Sequence, residues 1–505
     1  MAALAASVRS APLRPSSGAR APMSRLRTAL FWVAAAALVI GHVILAWHSL
    51  TVSRFWEDEA FNLTVPRNLL AGLGYASDGA LSGSTITPFD PRISTGPVVL
   101  LPVAALLATG MDPVLAGRLV PLAFWVLLLA GLAALGRRIG GRWAALLAVT
   151  VPLAFTAGAG VSPIQGPADL LGEIPAAALL VWALTVLPRR AWLAGLLVGL
   201  AVQAKLIAAL ALPAFAVALW VLADGRGWAR VREALRRAWL PLLLSAVPTA
   251  LFELGALLAL GPAGFIEHLR AFVRFVRSGG QTDAATTVLQ KLGTLADSGS
   301  LPPIVALLGA VLTLALVTLG VVRRWRTATA EERVVIAYAL AAVVGALAFV
   351  AWWATASRLP LWVRHPAPGI LAFFPLLAAV AVWAVTRLPE RRAWRIVGTV
   401  AAALVGAIVA TGAVLHVTDT VTSRGLTLAA QRADVEPLRA WVEENDVEWV
   451  AAERWGWAVP LVVLIGAHLG LQDAPSMTEA PRLALDDCPT ATLVEGTTSR
   501  LCAAR

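Results

Sequence analysis

Seven runs of 17 or more almost entirely apolar residues constrain this chain more than any other feature of its sequence. A helix needs about 20 such residues to cross the hydrocarbon core of a bilayer. The runs are 29–47, 119–135, 238–260, 301–322, 334–356, 367–386 and 397–415. Shorter apolar segments form two predicted hairpins, which pair 143–157 with 174–187 and 191–203 with 206–223. We therefore predict an α-helical polytopic membrane protein with about eleven transmembrane helices.

The overall composition agrees with this class of protein. Of 505 residues, 59% are hydrophobic and 14% are charged, whereas soluble domains carry about 25% charged residues. A soluble enzyme is therefore excluded. The chain has two cysteines, Cys488 and Cys502, which excludes a zinc cluster or a disulfide-rich scaffold.

The charged residues predict which ends of the helices face the cytoplasm, because Lys and Arg concentrate in cytoplasmic connections. One set of connections holds 23 Lys and Arg against 5 Asp and Glu, and the rest of the chain holds 18 against 25. This basic set comprises 1–28, 136–142, 188–190, 224–237, 323–333 and 387–396. We therefore predict a multi-pass protein of the cell membrane with a cytoplasmic N-terminus. The same sorting accounts for the net charge of +11 without a nucleic-acid partner.

Three domains follow from this topology. Residues 1–28 carry five Arg and no acidic residue, and we expect them to form a disordered basic tail in the cytoplasm. Residues 29–415 form the transmembrane domain, in which 48–118 is a long first outer loop with interfacial helices. Residues 416–505 have ordinary polarity and mixed charge, and we expect them to form a small exoplasmic α/β domain.

The C-terminal domain carries both cysteines of the chain. Its pattern predicts a helix at 435–445, a strand at 448–452 and a buried helix at 459–471. The segment between Cys488 and Cys502 has Gly and polar residues in its middle, as a strand–turn–strand would. Because disulfides persist outside the cytoplasm, we predict a Cys488–Cys502 disulfide. Two unrelated buried thiols are the alternative.

Three consecutive carboxylates follow the first apolar run. Glu57, Asp58 and Glu59 are flanked by aromatic residues at the membrane surface. Mutual repulsion and partial burial raise the pKa of a carboxyl group, which suits a general base. The alternative is a solvated acidic patch at a helix end. A loop of about 70 residues with its own helices is more often a functional element than a connector, which favours the first interpretation.

The order of short motifs in this region resembles the GT-C glycosyltransferases, particularly those similar to protein O-mannosyltransferases and lipid A aminoarabinose transferases. An acidic pair, Asp58-Glu59, stands just past the first run, and the step Gly96-Pro97 enters an interfacial helix. The segment 116–121 then enters the second run, and 136–140 closes it on the predicted cytoplasmic side. The resemblance covers about the first 210 residues and implies a GT-C-like fold.

The resemblance also implies an activity. Such enzymes transfer a hexosyl or pentosyl group from a polyprenyl monophosphate to an acceptor on the extracytoplasmic face. The acceptor is a lipid, a polysaccharide or a protein. By resemblance, Asp58 is the general base of an inverting transfer, and Glu59 and Glu57 shape its pKa. No cofactor is expected, although carboxylates of this kind can bind a divalent metal.

The leaving lipid phosphate requires cations near the outer interface. Lys205 lies between two apolar runs, where a cation is costly and usually functional. The alternative is a lysine that only snorkels to the interface. A second group of candidates for binding donor phosphate or substrate comprises Arg358, Arg364 and His365 in the last outer loop and Arg92 in the first. For the last-loop residues the alternative is plain interface anchoring.

Acidic residues of the second outer loop are further candidates for substrate binding. Glu173 matches a Gly-Glu-x-Pro pattern of the resembled families, and Asp169 is the alternative from the same loop. The other interpretation of Glu173 is a favourable charge at the N-terminus of the next helix. Glu253 lies inside a predicted span, where it either lines a groove or is a protonated structural residue.

Two other functions compete with a transferase. A transporter or flippase of lipid-linked sugars also spans the membrane many times, but transporters often show internal repeats. We find no pair of similar halves in this sequence. A non-catalytic scaffold for assembly of the cell envelope is the third possibility. The long first outer loop and the C-terminal domain favour an enzyme.

Overall fold

A computed structural model of the chain describes residues 21–79, 85–155, 166–277, 285–453 and 456–504. Residues 1–20 of the predicted basic tail therefore lie outside the described part of the chain. Helices make up most of the structure. Seven of the described helices are long and apolar enough to cross a membrane, and each contains or closely matches one of the seven runs predicted from the sequence.

The described elements follow in chain order. The helices are α1 Ala21–Trp47, α2 Glu57–Leu70, α3 Pro97–Leu107, α4 Pro113–Ala154, α5 Glu173–Val186, α6 Ala191–Ala204, α7 Leu212–Leu222, α8 Trp228–Arg277, α9 Val288–Asp297, α10 Pro303–Arg324, α11 Ala330–Thr355, α12 Ala367–Val385, α13 Arg392–Thr422, α14 Leu428–Glu444 and α15 Ala458–Ile465. The strands are β1 Ala76–Ser77, β2 Thr87–Pro88, β3 Trp449–Ala452, β4 His468–Leu471, β5 Arg482–Ala484, β6 Thr492–Glu495 and β7 Arg500–Cys502. A π-helical turn follows α1, and a 3₁₀ helix precedes α7.

Helix α4 contains two of the predicted spans, which meet at a pair of glycines. Gly141 has φ of 79°, a left-handed conformation that glycine adopts at little cost. A Cβ atom on Gly136 would lie 2.7 Å from Cα of Ala145, so the two halves approach closely beside the turn. The segments α5, α6 and Leu206–Leu222 are apolar but shorter than a usual span. The total of about eleven spans therefore stays a prediction.

Helix α12 forms the centre of the bundle. In its most apolar stretch of 18 residues, 83% of the residues are buried. The helix packs against α4, α5, α10 and α11. In contrast, none of the residues in the corresponding apolar stretch of α8 is buried, and the helix exposes large apolar side chains such as Trp239 and Leu251. This inner and outer arrangement is the one expected when lipid, rather than water, surrounds the outer helices.

The C-terminal region forms the predicted small α/β unit. Its five-stranded sheet has the order β4-β3-β5-β7-β6, with β3 parallel to β4 and β5 and with β7 antiparallel to β5 and β6. The predicted helix at 459–471 was wrong in its second half. The helix ends at Ile465, Gly466 adopts φ of 105°, and the chain continues as strand β4. Two buried elements in succession have the same hydropathy as one buried helix, so the sequence did not separate them.

The C-terminal unit packs on the first outer loop. The Gln431 side chain accepts a hydrogen bond from the Phe55 amide at 2.6 Å and donates one to the Phe55 carbonyl at 2.8 Å. The Asp78 carboxylate is 3.0 Å from Nδ1 of His468 and accepts a bond from the Leu469 amide at 3.0 Å. These contacts hold the unit at the same end of the bundle as the acidic cluster.

The two cysteines are joined in the hairpin of β6 and β7. A disulfide links Cys488 to Cys502, whose Cα atoms are 5.5 Å apart. Cys502 is buried in β7, which lies between β5 and β6 in the sheet. The crosslink therefore ties the end of the chain to the segment that precedes β6.

We expect both thiols to be unreactive toward an alkylating reagent in the unreduced protein, measured by mass spectrometry of peptides. Reduction should lower the free energy of unfolding of the C-terminal unit by about 3 kcal/mol, because the bridge closes a short loop in the unfolded chain. Limited proteolysis with and without reductant measures this loss. Alkylation of both thiols in denatured but unreduced protein would contradict the bridge.

Candidate active site

The three consecutive carboxylates occupy the first turn of α2. Carboxylates are favourable there because the amide groups of a helix N-terminus carry partial positive charge. Successive residues of a helix point about 100° apart, so Glu57, Asp58 and Glu59 face three directions. Each is paired with a different arginine: Arg54, Arg364 and Arg118, respectively. The cluster is therefore not the solvated patch that the sequence left open.

Glu59 is fully buried in an ion pair with Arg118 of α4. Nη2 of Arg118 is 2.8 Å from one carboxylate oxygen of Glu59, and Nε is 3.1 Å from the other. The remaining N–H groups of the guanidinium donate to three backbone carbonyls between α1 and α2, those of Leu50 (3.3 Å), Ser53 (3.0 Å) and Arg54 (2.9 Å). Both residues are 0% exposed. Glu59 therefore holds the loop to α4, in a position without access to solvent.

Asp58 faces the last outer loop, residues 356–366. Its carboxylate accepts a hydrogen bond from Nη1 of Arg364, and the two side chains are 12% and 8% exposed. The Arg364 guanidinium lies 4.4 Å from the ring centroid of Trp362 and 5.8 Å from that of Trp56. Burial lowers the pKa of Arg364 to about 9, which leaves the group charged at neutral pH. Asp58 is the carboxylate of the three that lies between two outer loops.

His365 follows Arg364 in the chain, and the charges of both Arg364 and Lys205 act on it. Burial lowers the pKa of His365 well below its ordinary value of 6.5, and the positive charges of Arg364, Lys205 and Lys291 lower it further. The imidazole is therefore neutral at pH 7, and its ring stacks with Trp362 at a centroid distance of 5.9 Å. Lys205 and Arg364 thus both act electrostatically on the His365 ring.

Lys205 is held at the junction of three helices. It ends α6, and its Nζ is 3.1 Å from Oε1 of Glu173, the first residue of α5. The Gly96 amide, just before α3, donates to the Ala204 carbonyl at 3.0 Å. A Cβ atom on Gly96 would lie 1.9 Å from the Gln203 carbonyl oxygen, and one on Gly172 would lie 2.0 Å from that of Ala204. Glycine at 96 and 172 therefore allows the helix ends to meet at Lys205.

Arg92 belongs to a separate ionic cluster against α8. Its guanidinium is 2.8 Å from Asp90 and 3.5 Å from Glu253, and it lies 4.6 Å from the ring centroid of Phe272. Glu253, inside α8, is thus partnered rather than isolated. His268 of the same helix lies 3.8 Å from Asp90.

The other predicted residues occupy different surroundings. Asp169 is buried close to the Glu59–Arg118 pair and acts electrostatically on Arg118. Glu57 pairs with Arg54, whose guanidinium also lies 4.4 Å from the ring centroid of Trp457 in the C-terminal unit. Arg358 is exposed in the same loop as Arg364. The structure therefore pairs Asp58 with Arg364 and Lys205 with Glu173, and both cations act electrostatically on His365. Glu59 and Arg92 have other ion-pair partners.

Two buried polar residues were not assigned a role from the sequence. Lys291 of α9 is 0% exposed, and its Nζ donates at 2.6 Å to the carbonyls of Trp353 and Ala356 at the end of α11. Asn62 of α2 donates to the Leu170 carbonyl at 2.8 Å and to the Thr95 hydroxyl at 3.0 Å. The sequence did hold a signal for Lys291, because this lysine lies outside the basic connections and a buried cation requires partners.

The site residues do not form a recognisable metal site. Among the described residues, no group of three His, Cys, Asp or Glu side chains has the arrangement of metal ligands. The carboxylates at the start of α2 instead have arginine partners.

The sequence matches no protein-family model and no curated protein. Solved structures nevertheless share its fold. ArnT from Cupriavidus metallidurans bound to undecaprenyl phosphate matches with a TM-score of 0.61 and 14% identity over 95% of this chain and 98% of that protein. The same ArnT in the apo state matches with a TM-score of 0.56 and 15% identity, with the same coverage of both chains. The apo oligosaccharyltransferase of Archaeoglobus fulgidus matches with a TM-score of 0.51 and 11% identity, over 90% of this chain and 65% of that protein. The predicted GT-C fold is thereby confirmed.

The burial of Glu59 and Arg118 leads to a prediction about stability. Glu59→Gln should lower the free energy of unfolding by about 3–5 kcal/mol, because it leaves the buried guanidinium without a compensating charge. Glu267→Gln, which alters an exposed ion pair of α8, serves as the control, with an expected loss of about 0–1 kcal/mol. Thermal unfolding of both purified variants in detergent measures the difference. Equal unfolding temperatures for Glu59→Gln and the unaltered protein would contradict a structural role for this pair.

Proposed function

We propose that this protein is a membrane glycosyltransferase that takes a sugar from a polyprenyl monophosphate donor. The acceptor binds on the extracytoplasmic face. The observation that carries the proposal is the region around the Asp58–Arg364 ion pair, where Arg364 and Lys205 both act electrostatically on His365. Such a region can accept a proton and compensate a phosphate charge at the same time. The GT-C fold shared with an ArnT bound to undecaprenyl phosphate supports this chemistry.

The proposed reaction is a single displacement at the anomeric carbon. Asp58 accepts the proton of the acceptor hydroxyl as the new carbon–oxygen bond forms. The bond from the anomeric carbon to the phosphate oxygen breaks, and the polyprenyl phosphate leaves with the bonding electron pair. Because attack and departure occur on opposite faces, the configuration at the sugar is inverted. Arg364, charged at neutral pH, keeps Asp58 oriented while the acceptor approaches.

Lys205 is the proposed contact for the leaving phosphate. Its ammonium is paired with Glu173 in the structure, at 3.1 Å, and its side chain is 15% exposed. A phosphate group that enters the site would compete with Glu173 for this cation, and charge-assisted hydrogen bonds to phosphate are strong. Further proposed contacts to donor or acceptor are Arg364, His365, Arg358, Arg92 and Asp169. Glu57 and Glu59 are proposed to act on Asp58 through the field and geometry of the first turn of α2.

We propose no resident cofactor or metal for the transfer. Arg54 and Arg118 engage the carboxylates that flank Asp58, so oxygens suited to a hard cation are already committed to other partners. The transferred group in this proposal is a hexose or a pentose. The acceptor is a lipid, a polysaccharide or a protein.

The proposed orientation places the N-terminus in the cytoplasm and the C-terminal domain outside. The excess of Lys and Arg in one set of connections supports it. The contacts of the C-terminal unit with the first outer loop support it as well, because they hold that unit at the end of the bundle away from the basic connections.

The proposal is tested with Asp58→Asn. We expect transfer of labelled sugar from synthetic undecaprenyl-phosphate sugars to a cell-envelope extract to slow by about 10²–10⁴-fold, because the general base is lost. Asparagine still offers an oxygen to Arg364, so the unfolding temperature should change little. Asp112→Asn, which alters an exposed ion pair with Arg432, is the matched control and should retain full activity.

Three outcomes of this experiment separate the candidate functions. Retention of more than about half the rate by Asp58→Asn would contradict its role as the base. Absence of turnover with every donor in the panel would contradict the transferase itself. Movement of the unreacted donor across proteoliposomes would then favour a flippase.

Lys205→Ala should weaken binding of undecaprenyl phosphate, the expected leaving group, by about tenfold or more, because a charged partner of the phosphate is removed. If the ammonium acts mainly on the departing phosphate, the rate constant should fall as well. Native mass spectrometry of the purified protein with added undecaprenyl phosphate measures the affinity. Unchanged binding and unchanged rate would assign Lys205 to interface anchoring alone.

A further inference from the structure

A cavity lies at the opposite end of the helix bundle from Asp58. It has a volume of about 840 Å³ and opens between the α7–α8 and α10–α11 connections. Helix α11 begins at this cavity and ends at the loop that carries Arg364. Its 26 residues correspond to about 39 Å. The cavity is therefore separate from the proposed active site.

Four arginines line this cavity: Arg226, Arg230, Arg326 and Arg333. In the part of the chain that the structure describes, no Asp or Glu residue lines this cavity. The nearest acidic contact is Asp224, which is 72% exposed, lies 3.8 Å from Arg333 and is bound more closely by Arg237. Glu332 pairs with Arg324 and Arg387 instead, at 3.4 and 2.9 Å. The cavity thus has a net positive charge.

Arg226 and Arg326 are the cations best suited to a ligand. Neither has a carboxylate partner among the described residues. Arg226 stands between Gly225 and Gly227, whose φ angles of 91° and 52° are left-handed. These two glycines allow the short connection to turn sharply at the rim of the cavity.

The remaining wall of the cavity is aromatic and aliphatic. Trp220 and Trp325 stack at a centroid distance of 5.9 Å, and the Arg230 guanidinium lies 5.8 Å from the Trp220 ring. Val231 and Ile336 complete this side. The positive-inside rule accounts for arginines at these helix ends, but it does not require them to converge on a cavity beside a tryptophan pair. Arginines that converge in this way match an anion with a nonpolar part.

We propose that this cavity binds a phosphate group, because several guanidinium groups above an aromatic wall provide bidentate donors for phosphate oxygens. The source is either the headgroup of an anionic phospholipid in the adjacent leaflet or a small soluble phosphate compound. The chain's own N-terminal segment is an unsuitable occupant, because residues 1–28 carry five Arg and no acid. The proposal does not depend on the transferase activity.

The test compares the full-length protein with Arg226→Ala/Arg326→Ala. The matched control is Arg232→Ala/Arg323→Ala, which removes two exposed arginines from α8 and α10 outside the cavity. Native mass spectrometry of delipidated protein measures binding of phosphatidylglycerol against phosphatidylcholine. Isothermal titration with inorganic pyrophosphate measures the soluble source.

We expect one of the two probes to bind the unaltered protein and the control equally. The cavity variant should bind that probe about tenfold or more weakly, because charge-assisted hydrogen bonds to phosphate are lost. Selective loss of phosphatidylglycerol assigns a lipid headgroup, and selective loss of pyrophosphate assigns a soluble phosphate. Equal loss in the control and the cavity variant, or binding of neither probe, overturns the proposal. If the double variant does not fold, Arg326→Gln alone replaces it, with Arg323→Gln as its control and with the same criteria.

Discussion

The buried ion pair between Glu59 and Arg118 determines the geometry at the end of the bundle that carries the acidic cluster. A guanidinium has five N–H donors. In Arg118 all five donate hydrogen bonds, to the Glu59 carboxylate and to backbone carbonyls of the segment between α1 and α2. Burial of two charges is tolerated when hydrogen bonds replace the lost water. Because successive residues of α2 point about 100° apart, fixing Glu59 toward α4 also directs Asp58 toward Arg364.

A second constraint acts at the end of α6. The carbonyl groups of Gln203 and Ala204 are close to Gly96 and Gly172, so the beginnings of α3 and α5 rest on the same helix end as Lys205. The first and second outer loops are thereby tied to one point. Lys291 of α9 ties that helix in a similar way to the end of α11, where the last outer loop begins, through two carbonyl groups. The proposed site is thus built from loops whose ends are anchored on the helix bundle.

Hydropathy alone identified the seven long apolar helices of the membrane domain, because a run of about 20 apolar residues rarely forms anything else. It also identified the turn inside α4, where arginines and glycines interrupt the apolar sequence. Boundaries in the C-terminal unit were harder to predict. In a small α/β domain, a buried helix and a buried strand can follow one another without a polar interruption, as α15 and β4 do.

The sequence identified the charged residues of the site but not their pairing. Asp58, Lys205 and Arg364 stood out because charges next to apolar runs are rare and costly. That Glu59 pairs with Arg118, rather than sharing a role with Asp58, depends on contacts 59 residues apart. No local pattern contains such information. The partners of Lys291 and Asn62 were likewise not predictable, because they include backbone carbonyls, which every residue carries.

The contact between Gln431 and Phe55 has a consequence for biosynthesis. These residues are 376 positions apart, so the acidic segment emerges and inserts long before its last partner exists. At about 5–20 residues per second, the delay is roughly 20–75 s. During that interval the amide and carbonyl groups of Phe55 lack the Gln431 side chain that binds both of them in the finished protein. The first loop therefore reaches its final hydrogen bonding only after the C-terminal unit has been synthesised.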